Sequence, residues 1–328
     1  MKLSKSDDGR SPANLHRTLT LEMVRVTERA AIAAAEWRGK GNEKAADDAS
    51  VNAMTAELEH VSIAGRIVIG EGEQFECDQL YVGQPVGVGE GPEVDIAVDP
   101  LEGVTLCAKN QPDSLVVLAM AERGGLLNVA RNVYMHKIAI GAEYAPDTVN
   151  IEWSATENVR ALAQAKGVPV SEITAIVLDR PRHAGLLEEL RTAGVSVKLL
   201  SDGDIAGVIH AVNTADTGID IYLGSGGAPE GVLAAAALRC IGGQMQGKLI
   251  LDTPDKRLRA REMGITDPNR IYDVSELAAG DVLFSATGIT DGSLVEGVKL
   301  RRGSVETSTV VMRSWSQTTR WIKALHAR

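Results

Sequence analysis

Two short acidic strings carry the most legible chemistry in the sequence. Gly70-Glu71-Gly72-Glu73 follows the β-branched run Arg66–Ile69, and Asp99-Pro100-Leu101-Glu102-Gly103 follows Val94–Val98. Each places two carboxylates on backbone bent by glycine or proline. Hard divalent cations take oxygen ligands, and Mg²⁺ or Mn²⁺ engaged with a substrate phosphate is usually held by a few carboxylates rather than a full protein cage. Two acid pairs at strand ends meet that need, although a solvated turn also places Glu beside Gly and either pair alone leaves both uses open. A third element, Gly224-Ser225-Gly226-Gly227-Ala228-Pro229-Glu230-Gly231, reads as a strand, a glycine-rich turn and a helix start with Pro229 in its first turn. Free N–H groups there can bind an anion, and Glu230 can complement the helix dipole or reach a metal. The string lacks GxxxxGK[ST] and the full GxGxxG spacing, so it is not a nucleotide loop.

Asp179-Arg180-Pro181-Arg182-His183 follows the run Thr174–Leu178 and should lie at the carboxyl end of a strand, where open α/β sheets place ligands. Two guanidinium forks there suit a phosphate. Ser201-Asp202-Gly203-Asp204 ends the next strand, and its carboxylates can accept hydrogen bonds from sugar hydroxyls. The plainer alternative has Asp202 capping the following helix and Arg180 pairing with Asp179 at the surface. His183 fits a helix-start or supporting residue better than a base.

Composition narrows the partners. With 34 basic and 44 acidic residues the net charge is -10, and only 3% of residues are aromatic, which leaves little to neutralise phosphodiesters or stack bases. Nucleic acid is therefore not expected as a partner. Hydrophobic residues make up 44%, but no apolar stretch reaches the roughly 18 residues that a membrane span needs, and no membrane association is expected. The polar opening, Met1 to Arg10, resembles neither a secretory signal nor a transit peptide, so the cytoplasm is the expected compartment. Cys77, Cys107 and Cys240 lack CxxC or nearby His spacing, which argues against a disulfide framework or zinc site and for small buried hydrophobes.

A chain of 328 residues, at about 150 per domain, makes two packed units or one large α/β domain. Apolar positions Leu15, Leu19, Met23, Val26, Ala30, Ala34 and Trp37 predict a helix from Pro12 that stops before Gly39, with a second from Asp47 to His60. Strands are predicted at Arg66–Ile69, Val94–Val98, Leu115–Met120 and Tyr134–Ile140. Ser154 to Glu157 forms a capping-box pattern opening a helix to Lys166. Beyond it, strands and helices alternate as βαβ units with a largely parallel sheet. The expected division is an N-terminal metal-binding αβ subdomain over 1–150 and a C-terminal βαβ substrate subdomain over 151–328. The β-branched runs Val282–Ala286 and Thr307–Met312 are expected to rejoin the first sheet.

Taken in order, Gly70-Glu-Gly-Glu, Val98-Asp-Pro-Leu-Glu-Gly, Arg180-Pro-Arg-His, Ser201-Asp-Gly-Asp, Gly226-Gly-Ala-Pro-Glu-Gly and Phe284-Ser-Ala-Thr-Gly-Ile-Thr-Asp-Gly resemble the class II fructose-1,6-bisphosphatases, some of which also hydrolyse sedoheptulose 1,7-bisphosphate. The likeness runs from about Leu15 to His326. It implies the layered αβαβα fold of the lithium-sensitive sugar phosphatases, a requirement for Mg²⁺ or Mn²⁺, release of the 1-phosphate from a sugar bisphosphate, and a homo-oligomer, dimer or tetramer. Carried onto this sequence, it implies metal ligands at Asp47, Glu71, Asp99, Glu102 and Glu230. It implies substrate contacts at Glu102, Gly103, Val104, Tyr134, Arg180, Pro181, Arg182, Asp202, Gly203, Asp204 and Gly227, and catalytic positions at Glu71, Glu73, Asp99, Glu102 and Val104.

Two positions depart from the family pattern. Val104 stands where the family has Thr, and Phe75 where it has Asp. In the family the Thr hydroxyl is thought to position or activate the attacking water, and losing such a group typically costs about 10² to 10⁴ in rate, or roughly 3 to 5 kcal/mol. Thr105, if the segment is extended, points to the opposite face, while Glu73 is placed to compensate. The resemblance thus leaves an active sugar-bisphosphate phosphatase, a degenerate phosphatase that only binds metal and sugar phosphate, and a phosphatase for another phosphorylated polyol.

Overall fold

The computed structural model describes residues 15–327; Pro12, where the first helix was expected to begin, lies outside them. The chain opens with α1 (Leu19–Ala35) and α2 (Glu43–Leu58), followed by β1 (Ala64–Ile69), β2 (Pro85–Val86), β3 (Glu93–Glu102), the short α3 (Val104–Ala108), β4 (Leu115–Glu122) and β5 (Tyr134–Ile140). Next come α4 (Ala155–Lys166), β6 (Thr174–Leu178), α5 (Ala184–Thr192), β7 (Ser196–Leu200), α6 (Asp204–Val212), α7 (Thr214–Thr217), β8 (Ile221–Gly227), α8 (Ala228–Ile241) and β9 (Gln244–Ile250). The remainder is α9 (Pro254–Glu262), β10 (Ile271–Asp273), α10 (Val274–Leu277), β11 (Val282–Gly288), β12 (Lys299–Arg301), β13 (Ser304–Arg313) and β14 (Thr318–Ala327). The Ser154 capping box is made in both directions.

Two mixed sheets result. The first runs β12-β13-β11-β4-β3-β1-β2 with β14 paired to β13, and the second runs β10-β9-β5-β8-β6-β7. The late strands β11 to β14 thus join the first sheet, as expected, and the chain crosses between sheets from β4 to β5 and back from β10 to β11. The second sheet corrects the expectation of a largely parallel array. β6 is parallel to β7 and to β8, but β5 is antiparallel to both β8 and β9, and β10 to β9. The physical reason is insertion. Alternating helices do set β6, β7, β8 and β9 in one direction, yet β5 from earlier in the chain lies between β8 and β9 and reverses the pairing on both sides.

Period-2 alternation assigns the layers. On β4, Val116, Leu118 and Met120 pack in a cluster with Met23, Val26 and Ala30 of α1 and Met54 and Leu58 of α2. Leu115, Val117, Ala119 and Ala121 point the other way, into a core shared with α6, α8 and the inner face of the second sheet, including Met135 and Ala139 of β5. The opposite face of β5, Ile138 and Ile140, packs with Val159 and Leu162 of α4 and Leu187 and Leu190 of α5. The order is therefore α1/α2, first sheet, α6/α8, second sheet, α4/α5, an αβαβα stack. Helix α8 lies between two sheets and is buried almost all round, which its run Leu233-Ala-Ala-Ala-Ala-Leu238 permits because small side chains let both sheets approach. Cys107 and Cys240 are buried, Cys77 is half-buried, and all are free thiols. Among the described residues no helix is long and apolar enough to cross a membrane.

Candidate active site

Asp99 and Glu102 end β3, and their separation of three residues would put them on opposite faces of a regular strand. A bulge prevents this. Asp99 pairs with Val117 and Glu102 with Leu115, so the register slips between them and both carboxylates turn to the inner face. The irregular backbone is satisfied locally: Ser50 Oγ donates to the Pro100 carbonyl at 2.5 Å, Ser114 Oγ to the Glu102 carbonyl at 3.1 Å, and the Leu101 N–H to Asp99 Oδ1 at 3.2 Å. Glu230 reaches the same point from the first turn of α8. Carboxylate oxygens of Asp99, Glu102 and Glu230 lie within 4.8 Å of one another.

Such proximity is costly without a cation or a proton. Burial, and then the neighbouring Glu230 and Glu71 charges, push Asp99 up to about 7. Burial and the adjacent Asp99 and Asp204 raise Glu102 well above the usual carboxylate range, and Glu230 is raised chiefly by burial. Glu230 Oε2 is buried with no hydrogen-bond partner, an orphaned acceptor of the kind a bound cation satisfies. The donor set, carboxylate oxygens only, fits a hard divalent ion. A cavity of about 60 Å³ beside the cluster is lined by Glu71, Asp99, Arg131 and Glu230.

Glu71 and Asp47 complete the acidic region from the outer side. Glu71 pairs with Arg131 at 3.1 Å, and burial raises its pKa, with Asp47 also contributing. Asp47, on α2, is likewise raised by burial and lowered by Arg131. The structure thus brings Glu71, Asp99, Glu102 and Glu230 together, with Asp47 at the margin. Glu73 is not joined to them: among the described residues no hydrogen bond or ion pair links its side chain to the cluster. Phe75, in the same loop, is 82% exposed.

Val104 opens α3 immediately after Glu102 and Gly103, and Gly103 takes a left-handed conformation that favours glycine. The segment is helical rather than extended, a correction to the expected geometry of Thr105. Its hydroxyl still points away, donating to Glu43 Oε1 at 2.7 Å. Thr105 therefore does not supply the hydroxyl that Val104 lacks.

The glycine-rich string is not a turn. Gly224 to Gly227 belong to β8, register with Lys137 to Tyr134 of β5, and lead directly into α8, whose Ala228 N–H is taken by the Val133 carbonyl at 2.9 Å. Of the string's N–H groups, that of Ser225 is taken by His183 Nε2 at 2.9 Å. The glycines instead make room for buried polar groups. A Cβ on Gly227 would overlap Glu230 Oε2, one on Gly226 would overlap Asp204 Oδ2, and one on Gly224 would lie 3.2 Å from the His183 ring.

On the far side of Gly227 its cross-strand partner Tyr134 is half-exposed, and the Arg182 guanidinium sits 5.1 Å from its ring centroid. Arg182 also donates to the Ser225 carbonyl at 2.8 Å. Arg180 donates to Asp202 at 2.9 Å, not to the Asp179 side chain. Asp202 makes no side-chain cap on α6. Pro181 opens a single 3₁₀ turn that carries Arg182, with Arg180 at its N-cap, and Gly203 takes a left-handed conformation ahead of α6. His183 is buried. Its Nε2 accepts from the Ser225 N–H at 2.9 Å, so its Nδ1 donates to the Leu178 carbonyl at 2.7 Å. That arrangement and the burial that lowers its pKa make it a neutral structural histidine. Asp204 is buried and ion-paired with Lys137.

Two residues escaped the sequence reading. Arg131 lies in an irregular loop and carries no pattern. Lys137 had a signal: on β5 it occupies the inward register of Met135 and Ala139, where a charge needs a buried partner.

Residues 17–326 match the family described as bacterial fructose-1,6-bisphosphatase, glpX-encoded. The chain is 43% identical over 337 residues to the D-fructose 1,6-bisphosphatase class 2/sedoheptulose 1,7-bisphosphatase of Synechococcus elongatus, covering 95% of this chain and 97% of that protein. It is 45% identical over 328 residues to the protein of the same name from Prochlorococcus marinus, covering 96% and 97%. With nearly its whole length matched and its acids gathered at the bulged end of β3 and the start of α8, the chain belongs to the bacterial fructose-1,6-bisphosphatases, a family of phosphoric monoester hydrolases.

Proposed function

We propose that this protein removes the 1-phosphate of fructose 1,6-bisphosphate, and of sedoheptulose 1,7-bisphosphate as a second substrate, with Mg²⁺ or Mn²⁺ as the required ion. The observation that carries the proposal is the convergence of Asp99, Glu102 and Glu230 oxygens with an unpartnered Glu230 oxygen, on a helix whose N-cap Gly227 pairs across strands with Tyr134, the ring that Arg182 overlies. Glu71, Asp99, Glu102 and Glu230 would hold the ion, with Asp47 at the margin. A divalent ion there supplies charge to the phosphoryl oxygens and lowers the pKa of bound water.

The remaining work falls to the chain itself. Arg180 and Arg182 grip the distal phosphate, and Tyr134 holds the Arg182 plane in place by stacking. Asp202 accepts from sugar hydroxyls on the turn closed by Gly203. Val104 contributes shape beside Glu102 without a hydrogen bond, so turnover is expected below that of a threonine-bearing relative. We place the enzyme in the cytoplasm as a homodimer or homotetramer.

The test is phosphate release from fructose 1,6-bisphosphate with Mn²⁺, using Glu71→Ala as control. Release by the wild type well above the control is expected; none at saturating metal refutes the proposal.

A further inference from the structure

Lys137 carries a charge that the proposed reaction leaves without a task, in a place with no solvent. Its side chain is 0% exposed, in the middle of β5 between Gly224 of β8 and Gly247 of β9. An apolar side chain would fill that register as Met135 and Ala139 do, and burying an ammonium is costly unless it is fully engaged. It is engaged on two sides. The Nζ donates to Asp204 Oδ2 and, at 2.8 Å, to the Gly227 carbonyl. Asp204 closes the turn that begins at Ser201 and starts α6. Gly227 ends β8 and precedes the first turn of α8, which bears Glu230. Gly226 lies between, and the absence of a side chain there admits both Asp204 and the Lys137 ammonium. One buried cation thus ties the Ser201–Asp204 turn to the helix start that bears Glu230, one member of the acid cluster.

We propose that Lys137 is a positioning residue: through Asp204 and the Gly227 carbonyl it fixes the spacing between the sugar-phosphate turn and the acid cluster. The inference rests on the phosphatase reading above, but its consequences separate from it. If Lys137 acts as a brace, loosening it weakens both sites together. A residue that only fills the core lowers the folded fraction and leaves the folded enzyme's constants unchanged. A residue that only contacts substrate moves KM alone.

The experiment compares wild type, Lys137→Met, Asp204→Asn and the double variant in two assays: Mn²⁺ binding without substrate, read as free Mn²⁺ by electron paramagnetic resonance, and steady-state phosphate release from fructose 1,6-bisphosphate. Each single variant is expected to raise both the Mn²⁺ Kd and KM by about 10-fold or more, in the range that removal of a ligand-orienting partner produces, and the double variant to be no worse than the poorer single. Retention of both constants within about twofold in Lys137→Met, or losses that multiply in the double variant, overturns the inference. Should Lys137→Met not fold, Asp204→Asn decides alone: a raised Mn²⁺ Kd supports the brace and an unchanged one refutes it. A wild type that binds Mn²⁺ yet releases no phosphate refutes the phosphatase reading and leaves the binding arm decisive for Lys137.

Discussion

Withdrawing divalent metal from this protein should make its stability fall as pH rises. In the folded chain Asp99 is pushed from 3.8 up to about 7, by burial first and then by Glu230 and Glu71, whereas in the unfolded chain it titrates near about 3.9. Between those values the folded state binds more protons than the unfolded state, so the sign is fixed: stability decreases with increasing pH across that window. For one such carboxyl, integration between pH 5 and pH 8 gives a loss of roughly 2 to 3 kcal/mol. Glu102, raised in the same direction, adds to it, and the pair titrates as a unit. Asp99→Asn removes this titration together with the Asp99 contribution to the raised Glu102 pKa, while the remaining titrating groups are shared. Urea unfolding in EDTA at pH 5 and pH 8 should show the wild type losing roughly 2 to 3 kcal/mol relative to the variant, and saturating Mn²⁺ should remove that difference by supplying the missing positive charge. Parallel pH dependences in EDTA would refute the reasoning, because burial and the neighbouring acids would then not be raising Asp99.

Two substitutions probe the site's shape and chemistry. Gly227→Ala places a methyl group where Glu230 Oε2 sits, while the backbone there, φ −58 and ψ 143, suits alanine; the fold should survive and the Mn²⁺ Kd should rise by about 10-fold or more, as calorimetric titration would show. Val104→Thr restores a hydroxyl next to Glu102 and should raise kcat by about 10-fold or more with KM little changed; an unchanged kcat in steady-state assays would mean the attacking water is positioned by other groups.

Much of this architecture could be read from one sequence, and the failures share a cause. Strand and helix positions follow from local periodicity, and α4, with its Ser154 cap, and β5 match the expected bounds. What local pattern cannot carry is pairing. Nothing near Tyr134–Ile140 says that this strand will lie between β8 and β9, which is why a run of βαβ units gave a mixed sheet. The same limit applies at the site. Asp99 and Glu102 share a face only through a register slip against β4, and Pro100 hints at irregularity without fixing it. The glycines of Gly224 to Gly227 signalled close approach, but what approaches them, the side chains of His183, Asp204 and Glu230, comes from other segments. Glu73 neighbours Glu71 in sequence, yet it opens a turn with Glu76, whose Oε2 accepts from the Glu73 N–H at 3.0 Å. Lys137 was legible in principle as a charge at an inward strand position, a signal that needs the register of neighbouring strands to interpret.

Which phosphate leaves tests the proposed reaction most directly. Phosphorus NMR of fructose 1,6-bisphosphate incubated with the protein and Mg²⁺ resolves both phosphate esters and orthophosphate. Decay of the 1-phosphate resonance, with orthophosphate growing and the 6-phosphate retained, is the expected course. A spectrum unchanged at saturating metal, or one that loses the 6-phosphate first, would contradict it.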